Sequence, residues 1–255
     1  MEIDYSHHYR KWHNDTPEHI QEVANYYHRI LGPHLPEDKA GPVLDVGCGM
    51  GFALIALKQL GFQNVAGIDS NAGQAAYCQS KGLDVTLCSD SAGFLRNCSG
   101  RYQLVLALDL LEHIPVEHQI EFATAIATAL KSGGILIGTT PNANSSLAAR
   151  WRYLDWTHQT EFTEHSMDFL LHNAGFAEVK VMEVEYCTRP GLWWLPVTGS
   201  GRHWWAFRFF RMWRRLEMMA ELGPGQGRRV PLSPNLLVVA RKKQADASDH
   251  EPDGG

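Results

Sequence analysis

Apolar and polar positions change rhythm three times along the chain. Over residues 16–35 the apolar positions recur at helical spacing, with Ile20, Val23, Tyr27 and Leu31 near one face. Thr16 supplies an N-cap, Pro17 the first helical position and Gly32-Pro33 the stop, so the stretch predicts one amphipathic helix. Between residues 42 and 142 the pattern differs. Apolar runs at 42–47, 64–69, 84–90, 102–111 and 135–142 predict five strands. Segments of helical character at 53–61, 72–82 and 116–134, each closed by glycine, predict helices among them. Such alternation predicts an α/β fold with a parallel sheet covered on both faces. The nearly continuous apolar character of the runs agrees with that. Beyond Pro141 the rhythm breaks. Residues 142–162 read as irregular, 166–175 as a helix closed by Gly175, 177–186 as a sixth strand and 235–243 as a last one.

Composition narrows the class. The 255 residues are 44% apolar and 20% charged, as in a globular protein. Lys and Arg number 23 against 28 Asp and Glu, a net charge of -5, so nucleic acid is not an expected partner. Cys48, Cys78, Cys88, Cys98 and Cys187 are scattered without a CxxC pair, which predicts free thiols in a reducing compartment and a cytoplasmic location. The polar N-terminus lacks the apolar core of a secretory signal, and no run of 18 apolar residues predicts a membrane span. The expected organisation is an N-terminal helical cap over 1–40, the main domain over 41–243 and a disordered acidic tail over 244–255.

Val43, Leu44, Asp45 and Val46 run straight into Gly47, Cys48, Gly49, Met50 and Gly51, and a helix follows. Glycines there permit a tight turn and let a ligand lie against bare backbone, beside unpaired N–H groups at the helix start. A dinucleotide fingerprint places its third glycine at position 52, where this chain has Phe52. Asp45 would repel a pyrophosphate but suits an ammonium group. The choice therefore shifts from a nicotinamide dinucleotide to S-adenosylmethionine, whose sulfonium and amino group are positive. Asp69, at the end of the second strand, can accept both ribose hydroxyls or cap a helix. Asp90, at the end of the third, can accept from an adenine amino group. Cys48 reads as a small residue filling the turn.

The ordered set Leu44 to Gly51, then Gly67-Ile68-Asp69, Asp109-Leu110-Leu111-Glu112-His113-Ile114 and Leu130-Lys131-Ser132-Gly133-Gly134, resembles the class I S-adenosylmethionine-dependent methyltransferases. It is most similar to their ubiquinone-biosynthesis-like branch, over residues 40–183. The resemblance implies a Rossmann-like three-layer α/β/α sandwich with a seven-stranded, mostly parallel sheet and an antiparallel edge strand. It implies that Asp45, Gly47, Cys48, Gly49 and Gly51 hold the methionine end. Asp69 and Ser70 would take the ribose, Asp90 and Ser91 the adenine region, and Leu108 and Asp109 would line the pocket.

An alcohol or phenol acceptor benefits from a base, and imidazole titrates near neutrality. His113, after the fourth strand, and His158, in Asp155-Trp156-Thr157-His158-Gln159-Thr160-Glu161-Phe162-Thr163, are the candidates. His158 leads and His113 is the alternative; Glu112-His113 also suits a cap on the cofactor loop. Asp109, Glu112 and His113 offer two carboxylates and an imidazole, but their spacing is no metal signature, so no metal is expected. Arg150 and Arg152 can hold an acidic acceptor. The segment around His158 is similar to methyltransferases of polysaccharide and lipid-linked glycan pathways. A sugar hydroxyl is thus the first expected acceptor, a phenol, quinone or other small molecule the alternative, and a non-catalytic scaffold a separate class.

Residues 191–230 form an insertion rich in tryptophan and arginine, with a helix over 202–222. Bulky apolar residues beside arginines fit a membrane surface, and the same helix fits a homodimer contact or the core. An aromatic-lined sugar pocket is a further use.

Overall fold

The computed structural model describes residue 9, residues 11–184 and residues 199–244. The start of the expected N-terminal cap, Cys187, Trp193 and Trp194 of the insertion, and residues 245–255 of the expected tail lie outside the described residues.

Helix α1 (Pro17–Leu31) begins where expected, with the Thr16 hydroxyl accepting from the His19 N–H. It buries Ala24, Ile30 and Leu31. Strand β1 (Val43–Val46) leads into α2 (Phe52–Gln59), β2 (Val65–Asp69), α3 (Ala72–Ser80) and β3 (Asp84–Leu87). Then come α4 (Ser91–Asn97), β4 (Tyr102–Leu108), α5 (Val116–Ala129) and β5 (Leu130–Pro141). After α6 (Ala148–Leu154), α7 (Glu164–Asn173) and β6 (Phe176–Glu183) the chain forms α8 (Gly199–Leu222), the short α9 (Pro224–Gly227) and β7 (Asn235–Lys242).

The strands order as β3-β2-β1-β4-β5-β7-β6. The first five run parallel. β7 is the antiparallel strand; it lies one place in from the edge, between β5 and β6. Alternate sheet residues feed two cores. Leu44, Val46, Val105, Ala107 and Leu136 pack with α5 and α7 on one face. Val43, Leu104, Leu106, Ile135 and Ile137 pack with α1, α2 and α3 on the other.

The structure departs from the sequence pattern in four places. The helix expected through residue 132 stops at Ala129, because Leu130 pairs with Tyr102 and the chain bulges before Ile135 meets Leu104. The strand expected through 111 stops at Leu108, because Asp109 turns to φ 49° and Leu111–His113 close a 3-10 turn. Two short helices, α4 and α6, were not legible. Each has seven residues, below the length at which periodicity is distinctive. Helix α7 starts at Glu164, with Thr163 and Ser166 forming a reciprocal cap.

Candidate functional site

The carboxyl ends of β1, β2, β4 and β5 open onto a cleft of about 600 Å³. Asp45, Gly47, Cys48, Gly49, Asp69 and Ser70 line one side, Leu108 and Asp109 the middle, and Glu112, His113, Trp151 and His158 the other side. The sequence placed these groups separately; the parallel topology gathers them. Gly51, Asp90 and Ser91 do not line the cleft. Asp90 instead accepts from the Gly93 N–H at 2.8 Å and caps α4.

The glycine loop takes its shape from three left-handed residues, Gly47 at φ 72°, Gly49 at 54° and Gly51 at 74°. A Cβ at Gly51 would also sit 2.5 Å from Leu83 Cδ1. We therefore expect Gly51→Ala to cost about 1–3 kcal/mol. That lowers the melting temperature by several degrees, at about 2–4 °C per kcal/mol. A thermal melt with an unchanged midpoint would refute this.

Asp69 ties the loop to the next strand. Its Oδ2 accepts from the Gly49 N–H and its Oδ1 from the Asn71 N–H, both at 2.8 Å. This tether was not foreseen; the acid was expected only as a ligand or cap. Burial pushes the Asp69 carboxyl up, against these two donors. Asp45 is buried beneath the loop. Its carboxyl is pushed well up by loss of water and then by the neighbouring charge of Asp69. A cation placed beside Asp45 would relieve both effects. The bare glycine backbone, the two buried acids and the lack, among the described residues, of any lysine or arginine lining the cleft thus fit the cationic methionine end of S-adenosylmethionine.

The aromatic flank came with no sequence signal. Tyr9, Trp12, His13 and Tyr27 close the cleft from the N-terminal side. The His13 ring packs 5.2 Å from Phe52, and burial beside His19 pushes its pKa down to about 4. Asn235, at the start of β7, reaches Asp109 Oδ1 at 3.4 Å. Only the strand order brings it there.

At the far end, the two candidate histidines stand together with ring centroids 4.7 Å apart. Gln159 donates its N–H to the Glu112 carbonyl at 2.7 Å, so the two histidine-bearing segments are bonded to each other. His113 Nδ1 lies 2.8 Å from Thr157 Oγ1, and that hydroxyl donates to Asp155 Oδ1 at 2.7 Å. With its proton committed to Asp155, Thr157 accepts from His113 Nδ1–H, which leaves the lone pair on Nε2. His158 Nδ1 lies 3.0 Å from the Trp151 carbonyl and must likewise donate.

Glu112, His113 and His158 bring ligand atoms within 4.8 Å of one another. A carboxylate and two imidazoles can hold a divalent cation as well as move a proton. Asp109 is not one of that group. Burial and the Asp109 charge push the Glu112 carboxyl well up. Arg150 and Arg152 do not line the cleft; Arg152 donates to the Gln159 carbonyl at 3.1 Å and braces the His158 loop.

Comparison with known proteins fits this arrangement. A family model described as a methyltransferase domain matches residues 11–181. A ubiquinone biosynthesis O-methyltransferase of Cereibacter sphaeroides is 30% identical over 128 residues, covering 49% of this chain and 50% of that protein. A probable S-adenosylmethionine-dependent methyltransferase of Mycobacterium tuberculosis is 25% identical over 162 residues, covering 62% of this chain and 58% of the relative. The chain thus spans about half the length of the curated relatives it matches. The crystal structure of a methyltransferase from Archaeoglobus fulgidus superposes with a TM-score of 0.67 at 20% identity, over 94% of this chain and all of that one. By its matched domain, its sheet order and its glycine loop, the chain belongs to the methyltransferase-domain family and has the class I S-adenosylmethionine-dependent fold.

Proposed function

We propose that the protein transfers a methyl group from S-adenosylmethionine to a hydroxyl oxygen, with a sugar of a surface polysaccharide or lipid-linked glycan as acceptor. The observation that carries the reading is the single cleft joining Asp45 and Asp69 to the histidine pair. S-adenosylmethionine supplies an already activated methyl group, so the chain's work is positioning and proton removal. Asp45 holds the ammonium end, the glycine backbone cradles the methionine, and Asp69 takes the ribose hydroxyls. His113 accepts the acceptor's proton on Nε2, and Asp155, through Thr157, steadies the imidazolium that forms. Trp151 lines the cleft, while Tyr153 and Trp156 stand exposed on the same segment. Aromatic faces of this kind stack on the apolar faces of sugars. A lipid-linked precursor would be met at the inner face of the membrane.

A phenolic or quinone hydroxyl is the second reading, favoured by the likeness to the Cereibacter enzyme. Labelled methyl donor incubated with fractionated lipid-linked glycan and quinone extracts separates the two. Label in the glycan fraction is the expected result. Label only in quinone reverses the acceptor, and label in neither fraction refutes both readings.

A further inference from the structure

We propose that α8 docks the protein onto an anionic phospholipid surface, with its aromatic stripe in the headgroup layer. The docking stands independently of the methyl-transfer reading. Its consequence, an acceptor presented from the bilayer, rests on that reading.

The helix is amphipathic in an inverted sense. Its arginines partly turn inward. Arg211 and Arg215 both pair with Glu183, and Arg215 also donates to the Gly227 and Val230 carbonyls. Glu183, which ends β6, draws this basic face against the body. Phe209, Met212, Trp213 and Leu216, related by three, four and seven residues, share the opposite face, with Phe210 beside them. All five are exposed, Phe210 by 68% and Trp213 by 64%. Nothing in the sequence pattern alone distinguished this from a buried helix; the ion pairs to Glu183 fix which face is outward.

Charge selects the occupant. Residues 199–230 hold seven arginines and two glutamates in a chain whose net charge is -5. Glu217 is already paired with Arg214. Arg202, Arg208, Arg228 and Arg229 are exposed. Exposed apolar groups in an arginine-rich segment complement the headgroup layer of a phospholipid surface, and the exposed arginines complement its phosphates. Two copies meeting through this segment would bring its exposed, like-charged arginines together. Nor does the helix act as an anchor through the bilayer: no helix among the described residues is long and apolar enough to cross a membrane.

Position adds meaning to the docking. Glu183 pairs with Leu236, next to Asn235, which lines the cleft. The helix is therefore fastened at the end of the sheet onto which the cleft opens.

The test is sedimentation of the full chain with mixed phosphatidylglycerol and phosphatidylcholine vesicles, against phosphatidylcholine alone. Binding to the anionic vesicles is expected, and it should be lost at about 1 M salt, where screening shortens to about 3 Å. F210E/W213E and R202E/R208E should each reduce it to the level of neutral vesicles, while thermal melts and S-adenosylmethionine titrations remain those of the unaltered protein. No binding at low salt, or binding that survives both double variants, overturns the proposal. So does a dimer, seen by sedimentation velocity, that F210E/W213E converts to monomers in a protein that ignores vesicles. Methyl transfer to a soluble acceptor is measured separately, so failure of docking and failure of the catalytic reading are distinguishable.

Discussion

Asp45→Asn should weaken S-adenosylmethionine binding about 100-fold or more while the protein stays folded. The substitution keeps the shape of the side chain and removes its charge, leaving the ligand's ammonium buried opposite a neutral amide. Breaking a buried ion pair by removing one partner costs about 3–5 kcal/mol, and about 1.4 kcal/mol is tenfold in affinity. The protein without ligand should respond in the opposite direction. Burial, then Asp69, raises the Asp45 carboxyl well above its ordinary value. The folded chain therefore holds that proton to higher pH than the unfolded chain does. Stability is lost as pH rises from about 3.9, the unfolded value, through the folded one. Once ionised, the buried acid is a burden, so Asp45→Asn should melt no lower than the original and gain less from added ligand. Binding of the cation should also release a proton, so affinity in the unaltered protein climbs with pH across the raised value and flattens in the variant. Calorimetry at several pH values reads both effects. Unchanged affinity in Asp45→Asn would remove the acid from the site.

The glycine loop and the alternating strands were legible because they are local. A strand, three spaced glycines and an acid lie within nine residues, 43–51. The cleft's other members come from distant parts of the chain. Asn235 meets Asp109 only because β7 inserts beside β5, and nothing near residue 235 announces that. Tyr9 and His13 belong to a segment with no periodicity of its own. At Asp90 the sequence suggested an adenine contact but not the short helix behind it, whose N-terminus Asp90 Oδ1 caps. Both histidines were named from sequence, yet their adjacency and the Asp155–Thr157–His113 chain required the fold. Asp155 and Thr157 had been noted only as neighbours of His158; their side chains also link, Asp155 to Thr157 and Thr157 to His113.

That chain ranks the histidines, and the second large effect follows from it. His113→Ala should lower kcat by about 10²- to 10⁴-fold, the range of a lost general base, with little change in S-adenosylmethionine affinity. His158→Ala should do less. The Nδ1–H of His158 rests on a carbonyl, whereas His113 is backed, through Thr157, by the buried carboxylate of Asp155. A carboxylate at the end of the relay stabilises the imidazolium formed when the acceptor gives up its proton; a neutral carbonyl does so less. Because the rings touch, each deletion also disturbs the other histidine. Thr157→Val is the sharper variant, since it leaves both imidazoles in place and cuts the relay. Its expected signature is a lower kcat, with the acidic limb of the pH–rate profile moved to lower pH because the imidazolium has lost its carboxylate. A profile unchanged in Thr157→Val, with turnover lost in His158→Ala but kept in His113→Ala, would transfer the role of base to His158. Turnover abolished by a chelator and restored by a divalent cation would instead make the imidazoles ligands, since Glu112 and both histidines already stand close enough to share an ion. Proton removal would then fall to a group activated by that ion rather than to either ring.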